Sequence, residues 1–221
     1  MCGRFSLFDM FGLEVRFNIN LPESLVPSYN IAPSQEILAI IGGGGEQERY
    51  RAQLLRWGLI PFWAGDADAS KKMINARAET VEKKASFKES FARRRCLIPA
   101  DGFYEWKKEE GRKRPYRITL HNGELFAFAG LWDEWSSPRG ETIKSCAIIT
   151  TLANKLVEPV HDRMPVILAR EAEAAWLDPR TELPALKELL QPYPPQFMEC
   201  YEVSAIVNSP RNDRAEVVEP L

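Results

Sequence analysis

Histidine is scarce, with two in 221 residues, His121 and His161. Four cysteines, Cys2, Cys96, Cys146 and Cys200, lie far apart and form no Cys-x-x-Cys pair. Structural zinc is usually held by closely spaced Cys or His ligands, so no metal is expected. Cys96 (in Cys-Leu-Ile-Pro) and Cys146 (in Ser-Cys-Ala-Ile-Ile) sit in apolar runs and read as buried, reduced thiols. No apolar stretch approaches the roughly 18 residues that cross a bilayer. Arg4, Asp9, Glu14 and Arg16 interrupt the first residues, unlike the apolar segment of a secretory signal. These absences point to a cytoplasmic protein without a membrane partner. Repeats and biased linkers are lacking as well, so residues 1–221 are read as one domain and as a monomer.

A phosphate-binding glycine loop is also missing. Gly42–Gly45 is followed by Glu46 and Glu48, not by Lys-Ser or Lys-Thr. Glu-Ile-Leu-Ala-Ile-Ile (36–41) and Tyr-Arg-Ala-Gln-Leu-Leu-Arg-Trp (50–57) flank it as strands, so the glycines read as a hairpin tip. No cofactor is expected.

What is present is ordinary in amount and uneven in placement. Hydrophobic residues make up 45% and charged residues 27%, as in a globular chain. Net charge is −2, yet residues 71–117 hold 15 Lys+Arg against 7 Asp+Glu, and residues 165–221 hold 5 against 10. Such a division either offers one basic face to phosphates or is only a solvated surface.

Ser86-Phe-Lys-Glu89 fits a capping box that opens a helix to about Arg95. Cys96–Pro99, Gly102–Trp106, Ser145–Thr151 and Met164–Leu168 read as strands. Asn122-Gly123 predicts a tight hairpin, with His121 at its edge and no function for it. Ala153–Val157, Glu171–Trp176 and Ala185–Leu190 read as helices. Many short strands with scattered helices give an α+β fold with a mixed, barrel-like sheet core.

The chain opens Met-Cys-Gly-Arg, and Met1 is expected to be trimmed because the Cys side chain is small. That leaves an amine and a thiol on adjacent carbons. An α-amine titrates near about 7.7–8.0, so part of it is neutral and nucleophilic. Arg4 is placed to lower the thiol pKa. Aldehydes react with such a pair to give a Schiff base and then a five-membered thiazolidine ring. Ile74-Asn75-Ala76-Arg77, if extended, turns Asn75 and Arg77 the same way. Asp101-Gly-Phe-Tyr-Glu105-Trp106 sets a carboxylate among aromatics. There it serves as a general acid with a raised pKa, or pairs with an arginine. His161-Asp-Arg-Met-Pro165 offers a proton shuttle or a structural histidine.

Taken in order, Met-Cys-Gly-Arg-Phe, Tyr-Asn-Ile-Ala-Pro (29–33), Arg-Trp-Gly-Leu-Ile-Pro (56–61), Ile-Asn-Ala-Arg-Ala-Glu-Thr (74–80), Arg-Cys-Leu-Ile-Pro-Ala-Asp-Gly-Phe-Tyr-Glu-Trp (95–106) and His-Asp-Arg-Met-Pro (161–165) make a specific set. Val-Asn (207–208) and Arg-Asn-Asp (211–213) complete it. The whole chain resembles the SRAP family, abasic-site processing proteins formerly named SOS response-associated peptidases. The resemblance implies a partner, single-stranded DNA with abasic sites, and a nucleoid location when DNA is bound. It implies that Cys2 supplies amine and thiol, Asn75 orients amine and sugar, Glu105 handles protons, and His161 assists transfer and reversal. It implies that Arg4, Arg77 and Arg163 hold phosphates, that Asn30 and Pro33 line the groove, and that Trp63 stacks on a base. Some relatives carry two adjacent tryptophans there, where this chain has Trp63-Ala64. The expected activity is covalent capture, with lyase-type strand cleavage from an unclosed Schiff base. A peptidase with Cys2 as nucleophile and a plain single-stranded DNA-binding module remain alternatives.

Overall fold

The computed structural model describes residues 2–45 and 48–221. In chain order the elements are β1 (Phe5–Leu7), α1 (Met10–Phe17), β2 (Ser28–Ile31), β3 (Glu36–Gly45), β4 (Glu48–Trp57), β5 (Asn75–Arg77), α2 (Lys88–Arg93) and β6 (Arg95–Ala100). There follow β7 (Gly102–Glu109), β8 (Arg112–Leu120), β9 (Phe126–Ser136), β10 (Thr142–Leu152), β11 (Arg163–Pro165) and β12 (Ile167–Leu168). The last are α3 (Glu173–Leu177), α4 (Leu183–Glu188) and β13 (Met198–Glu202).

Strands β10, β4, β3, β6 and β9 pair in that order, and β9 pairs back onto β10, which closes a barrel. The β4–β10 pair is parallel and the other four are antiparallel, so the barrel is mixed. Closure removes the free edges that an open sheet would expose. Every residue of β6 is buried, and β9 is buried from Phe126 to Leu131, as expected of strands covered on both faces. The walls are tight. A Cβ on Gly130 would stand 2.7 Å from Cys96 Sγ.

A second sheet, β13-β8-β7-β1-β2, is antiparallel throughout and lies over the barrel. Aromatics join the layers. Phe5 of β1 meets Trp57 of β4 edge-on at 5.3 Å and Phe128 of β9 at 5.7 Å, and Phe103 of β7 meets Phe128 at 6.1 Å. Edge-to-face pairs at such separations add about 0.5–1.5 kcal/mol each to the burial of their surface. The α+β fold with a mixed barrel core expected from the strand pattern is therefore what forms.

The helices are short and peripheral, and buried Arg95 ties two of them down. Its guanidinium donates to the carbonyls of Phe91 and Ala92 at the end of α2, and to those of Trp176 and Asp178 at the end of α3. One side chain thus serves carbonyls that both helix ends leave without intrahelical donors.

Several local expectations are corrected. Asn122 and Gly123 have the positive φ values of a tight turn, 59° and 66°. The flanking strands do not pair with each other, because β8 belongs to the outer sheet and β9 to the barrel. The turn carries the chain between layers. Gly42–Gly45 lies within the end of β3, and residues 46–47 are outside the described residues. The Ser86 capping box does not form. Helix α2 starts at Lys88 without a side-chain cap, since the Lys84 carbonyl already accepts from the N–H groups of Phe87 and Lys88. Ala153–Val157 is a turn instead of a helix, because Asn154 Oδ1 takes the N–H groups of Leu156 and Val157. Residues 164–168 divide at Val166, with β11 on β10 and β12 on β9.

Candidate active site

Strand β1 aligns Phe5 with Phe103 of β7, and the Tyr104 N–H extends the pairing by donating to the Arg4 carbonyl at 2.9 Å. Residues 2–4 therefore run beside β7, and Cys2 is fully buried. Alternation along β7 gives Phe103 and Glu105 one face, toward the barrel, and Tyr104 the other. Tyr104 packs in a small cluster with Val203, Val207 and Val217. Glu105 is 3% exposed as a result. Burial pushes its carboxyl up from 4.5 to about 7.

Asn75 comes from the other layer. Strand β5 runs parallel to β10, with Asn75 opposite Ile148 and Arg77 opposite Thr150. The approach to β5 is fixed at Ile74, whose carbonyl accepts from Trp57 Nε1 at 2.9 Å and from the Ile148 N–H at 3.1 Å. Ala76 points into the core, which leaves Asn75 and Arg77 on the opposite face as the spacing predicts. Asn75 Nδ2 donates to the Cys2 carbonyl at 2.8 Å. The side chain thus grips the residue whose amine and thiol would react.

His161 ends the turn before β11, with its N–H on the Val157 carbonyl at 3.0 Å. Its Nδ1 accepts from the Arg163 N–H at 3.0 Å. Its Nε2 stands 3.9 Å from Glu105 Oε2. Burial holds the imidazole below its ordinary pKa, while Asp162, 2.9 Å from Nδ1, opposes that shift. The carboxyl is raised and the imidazole lowered, which favours a protonated Glu105 beside a neutral imidazole. Cys2, Asn75, Glu105 and His161 are thus brought together from four separated stretches of sequence.

The expectation that Arg4 lowers the Cys2 thiol pKa is not met. Burial and the Glu105 carboxylate push the thiol up. Arg4 Nη1 instead donates to Asn30 Oδ1 and to the Val207 carbonyl, both at 2.7 Å, with the guanidinium over the Trp106 ring at 5.8 Å. Asn30 is fully buried, and its Nδ2 donates to the carbonyls of Val207, Ser209 and Asn212. Arg163 is buried too. It meets the Glu79 carboxylate through two bonds of 2.8 and 3.0 Å and the Thr150 carbonyl at 2.7 Å. Arg4, Asn30 and Arg163 therefore have internal partners, whereas Arg77 and Trp63 face solvent and Pro33 is half-buried.

Two features escape a reading of the sequence. Phe62 precedes Trp63 in an anchored turn, and both are about half exposed, at 53% and 54%. The Phe62 N–H donates to Asp133 Oδ2 at 3.0 Å, and Trp135 Nε1 donates to the Ala64 carbonyl at 2.6 Å. Leu59 N–H joins the start of this loop to the Met73 carbonyl, beside β5. Two aromatics directly after Pro61 were the available signal. Next to Glu105, a groove of about 400 Å³ is lined by Trp106, Lys108, Lys113 and Asn208. Lys108 and Lys113 are cross-strand partners on β7 and β8, a pairing invisible until the hairpin register is known.

The family model described as SOS response associated peptidase (SRAP) matches residues 1–210. The abasic site processing protein YoqW of Bacillus subtilis is 52% identical over 99% of both chains. The abasic site processing protein HMCES of Xenopus tropicalis is 36% identical over 86% of this chain and 65% of its own. Among solved structures, a Bacteroides thetaiotaomicron protein superposes with a TM-score of 0.90 at 28% identity and full coverage of both chains. A Bordetella bronchiseptica protein superposes with a TM-score of 0.82 at 30% identity, covering 92% of this chain and 100% of its own. With a family model over nearly its whole length and a relative of 52% identity, this chain belongs to the SRAP family.

Proposed function

We propose that this protein captures abasic sites in single-stranded DNA by bonding to them through Cys2 once Met1 has been removed. The observation that carries the reading is the grip of Asn75 on the Cys2 carbonyl, beside a glutamate that burial raises to about 7 and a histidine that burial holds below its ordinary pKa. The naming of relatives as abasic site processing proteins supports the choice of substrate.

The chemistry follows from those groups. The Cys2 amine adds to the C1′ aldehyde of the opened sugar. Protonated Glu105 gives a proton to the resulting hydroxyl, which leaves as water and generates the Schiff base. The thiol then adds across the C=N bond. A new C–S bond closes the thiazolidine, the C=N electron pair returns to the nitrogen, which keeps the proton it carried in the protonated Schiff base, and the sulfur's proton passes to the Glu105–His161 pair. A thiol held above its usual pKa needs such an acceptor. The same property argues against the peptidase reading, which requires a thiolate near neutral pH. Before capture, Arg77 and the Lys108–Lys113 groove would meet phosphates, and Phe62 and Trp63 would stack on bases.

The test compares processed protein, protein with an uncleaved N-terminal tag, and Cys2→Ala on a denaturing gel. Each is incubated with abasic single-stranded DNA, with and without borohydride. The processed protein is expected to give a stable shifted band. The tagged protein should give none, because an acylated nitrogen cannot form a Schiff base. Cys2→Ala should give one only with borohydride, since it keeps an amine and lacks the sulfur. Equal crosslinking by the tagged protein would disprove the aminothiol mechanism.

A further inference from the structure

The turn that carries Phe62 and Trp63 is held by side chains of the barrel wall. Strand β4 ends at Trp57, and the next backbone N–H groups, of Gly58 and Leu59, donate to the carbonyls of Cys146 and Met73 at 2.9 and 3.1 Å. Three side chains then take alternate residues. Ser145 Oγ accepts from the Ile60 N–H at 2.8 Å, Asp133 Oδ2 accepts from the Phe62 N–H at 3.0 Å, and Trp135 Nε1 donates to the Ala64 carbonyl at 2.6 Å. Strand register puts the three together. Asp133 and Trp135 are two apart on β9, and Ser145 of β10 lies directly opposite Asp133, so all three face the same way. All three are buried.

Asp133 carries the most weight of the three. A carboxylate buried this deeply costs free energy unless partners surround it. Its Oδ1 accepts from the Glu134 N–H at 2.8 Å and lies 3.2 Å from Arg94 Nε, while Oδ2 is given to the turn. The Arg94 guanidinium in turn sits over the Phe62 ring at 5.7 Å. One ion pair thus holds Phe62 by both its backbone and its ring. Aromatic rings on a loose loop would fold onto the nearest apolar surface and would have to be ordered when DNA arrives. Rings fixed in advance avoid that cost. From this geometry we infer that Asp133, Ser145 and Trp135 are positioning residues, which hold the turn so that Phe62 and Trp63 stand out to stack on bases of single-stranded DNA. The inference rests on the stacking role proposed above for the two aromatics.

A double-mutant cycle tests it. Binding of the full chain to an intact single-stranded oligonucleotide is followed by anisotropy for wild type, Asp133→Ala, Phe62→Ala/Trp63→Ala and the combined variant. Asp133→Ala is expected to weaken binding at least about fivefold in wild type, part of what stacking supplies. It should change affinity by less than about twofold once the aromatics are gone, because a residue that acts only through them has nothing left to hold. A general structural defect would lower affinity alike in both backgrounds, and that result would overturn the inference. So would full affinity in Asp133→Ala. Trp135→Phe removes the Nε1 donor, keeps an aromatic ring and leaves the charge unchanged. Its cycle with the same aromatic variant must show the same pattern, and it decides the matter if Asp133→Ala does not fold. Wild-type affinity in Phe62→Ala/Trp63→Ala would refute the stacking role, and the inference with it. A loss there, with equal effects of Asp133→Ala in both backgrounds, would refute the positioning role alone.

Discussion

Replacing Glu105 with glutamine is expected to make the protein more stable and less active at the same time. The carboxyl is 3% exposed, and burial moves its pKa from 4.5 to about 7. A shift of that size is worth about 3 kcal/mol of folding free energy. The pKa is raised in the folded state, so the folded protein holds a proton that the unfolded chain releases. The stabilisation this gives is complete below about pH 4.5 and is lost as pH rises through about 7. At pH 8 the parent carries a desolvated carboxylate, and glutamine of nearly the same shape does not. Urea unfolding across pH 4 to 8 should show parent and Glu105→Gln nearly equal at the acid end. The variant should lead by on the order of 3 kcal/mol at pH 8. Meanwhile its crosslinking rate should fall by roughly 10²–10⁴, the usual contribution of a general acid–base. A stability difference independent of pH, or a variant less stable at pH 8, would refute the argument from burial. Unchanged crosslinking would refute the proton-transfer role.

The remaining predictions concern the DNA-facing surface. Arg77→Ala should reduce the salt dependence of single-stranded DNA binding, measured by anisotropy, by about 0.7 in the log–log slope, one phosphate contact's worth. Arg163→Ala should leave that slope alone and cost on the order of 2–3 kcal/mol in urea unfolding, because it empties a buried bond to the Thr150 carbonyl and part-buried ones to Glu79. The opposite pattern would return Arg163 to the phosphates. Phe62→Ala and Trp63→Ala should each weaken non-covalent binding by about 1–3 kcal/mol if bases stack there, and equal affinity would remove that role. Lys108→Glu/Lys113→Glu should lower affinity and flatten the salt slope, and unaltered titrations would place the strand elsewhere.

Much of the site was legible because its motifs are local. Asn75 and Arg77 fall on one face as soon as the segment is extended, and Glu105 is buried by the alternation that buries Phe103. The arginines were harder to judge. Arg4, Arg77 and Arg163 look alike in sequence, and only tertiary pairing shows that Glu79, 84 positions away, takes up Arg163 while Arg77 stays in solvent. The Asn122-Gly123 turn failed for a similar reason. Local chemistry sets the two backbone angles, but which sheet the next strand joins is decided by packing far along the chain. The capping box lost to a neighbouring turn whose carbonyl was already in place.

The bond between Asn30 and the carbonyls of Val207, Ser209 and Asn212 has a consequence for how the protein is made. Asn30 also holds Arg4, two residues from Cys2, so the pocket around the start of the chain is sealed by residues about 180 to 200 positions away. A ribosome delivers those residues long after Arg4 and Asn30. Until residues 207–212 have emerged, Arg4 lacks the Val207 carbonyl and Asn30 Nδ2 lacks its three acceptors, so the bonds that seal the first residues in place are not yet made. The proposed chemistry requires Met1 to be trimmed, and an aminopeptidase needs a loose N-terminus to do so. The order of synthesis supplies that interval, because the segment with Val207, Ser209 and Asn212 emerges long after the N-terminus.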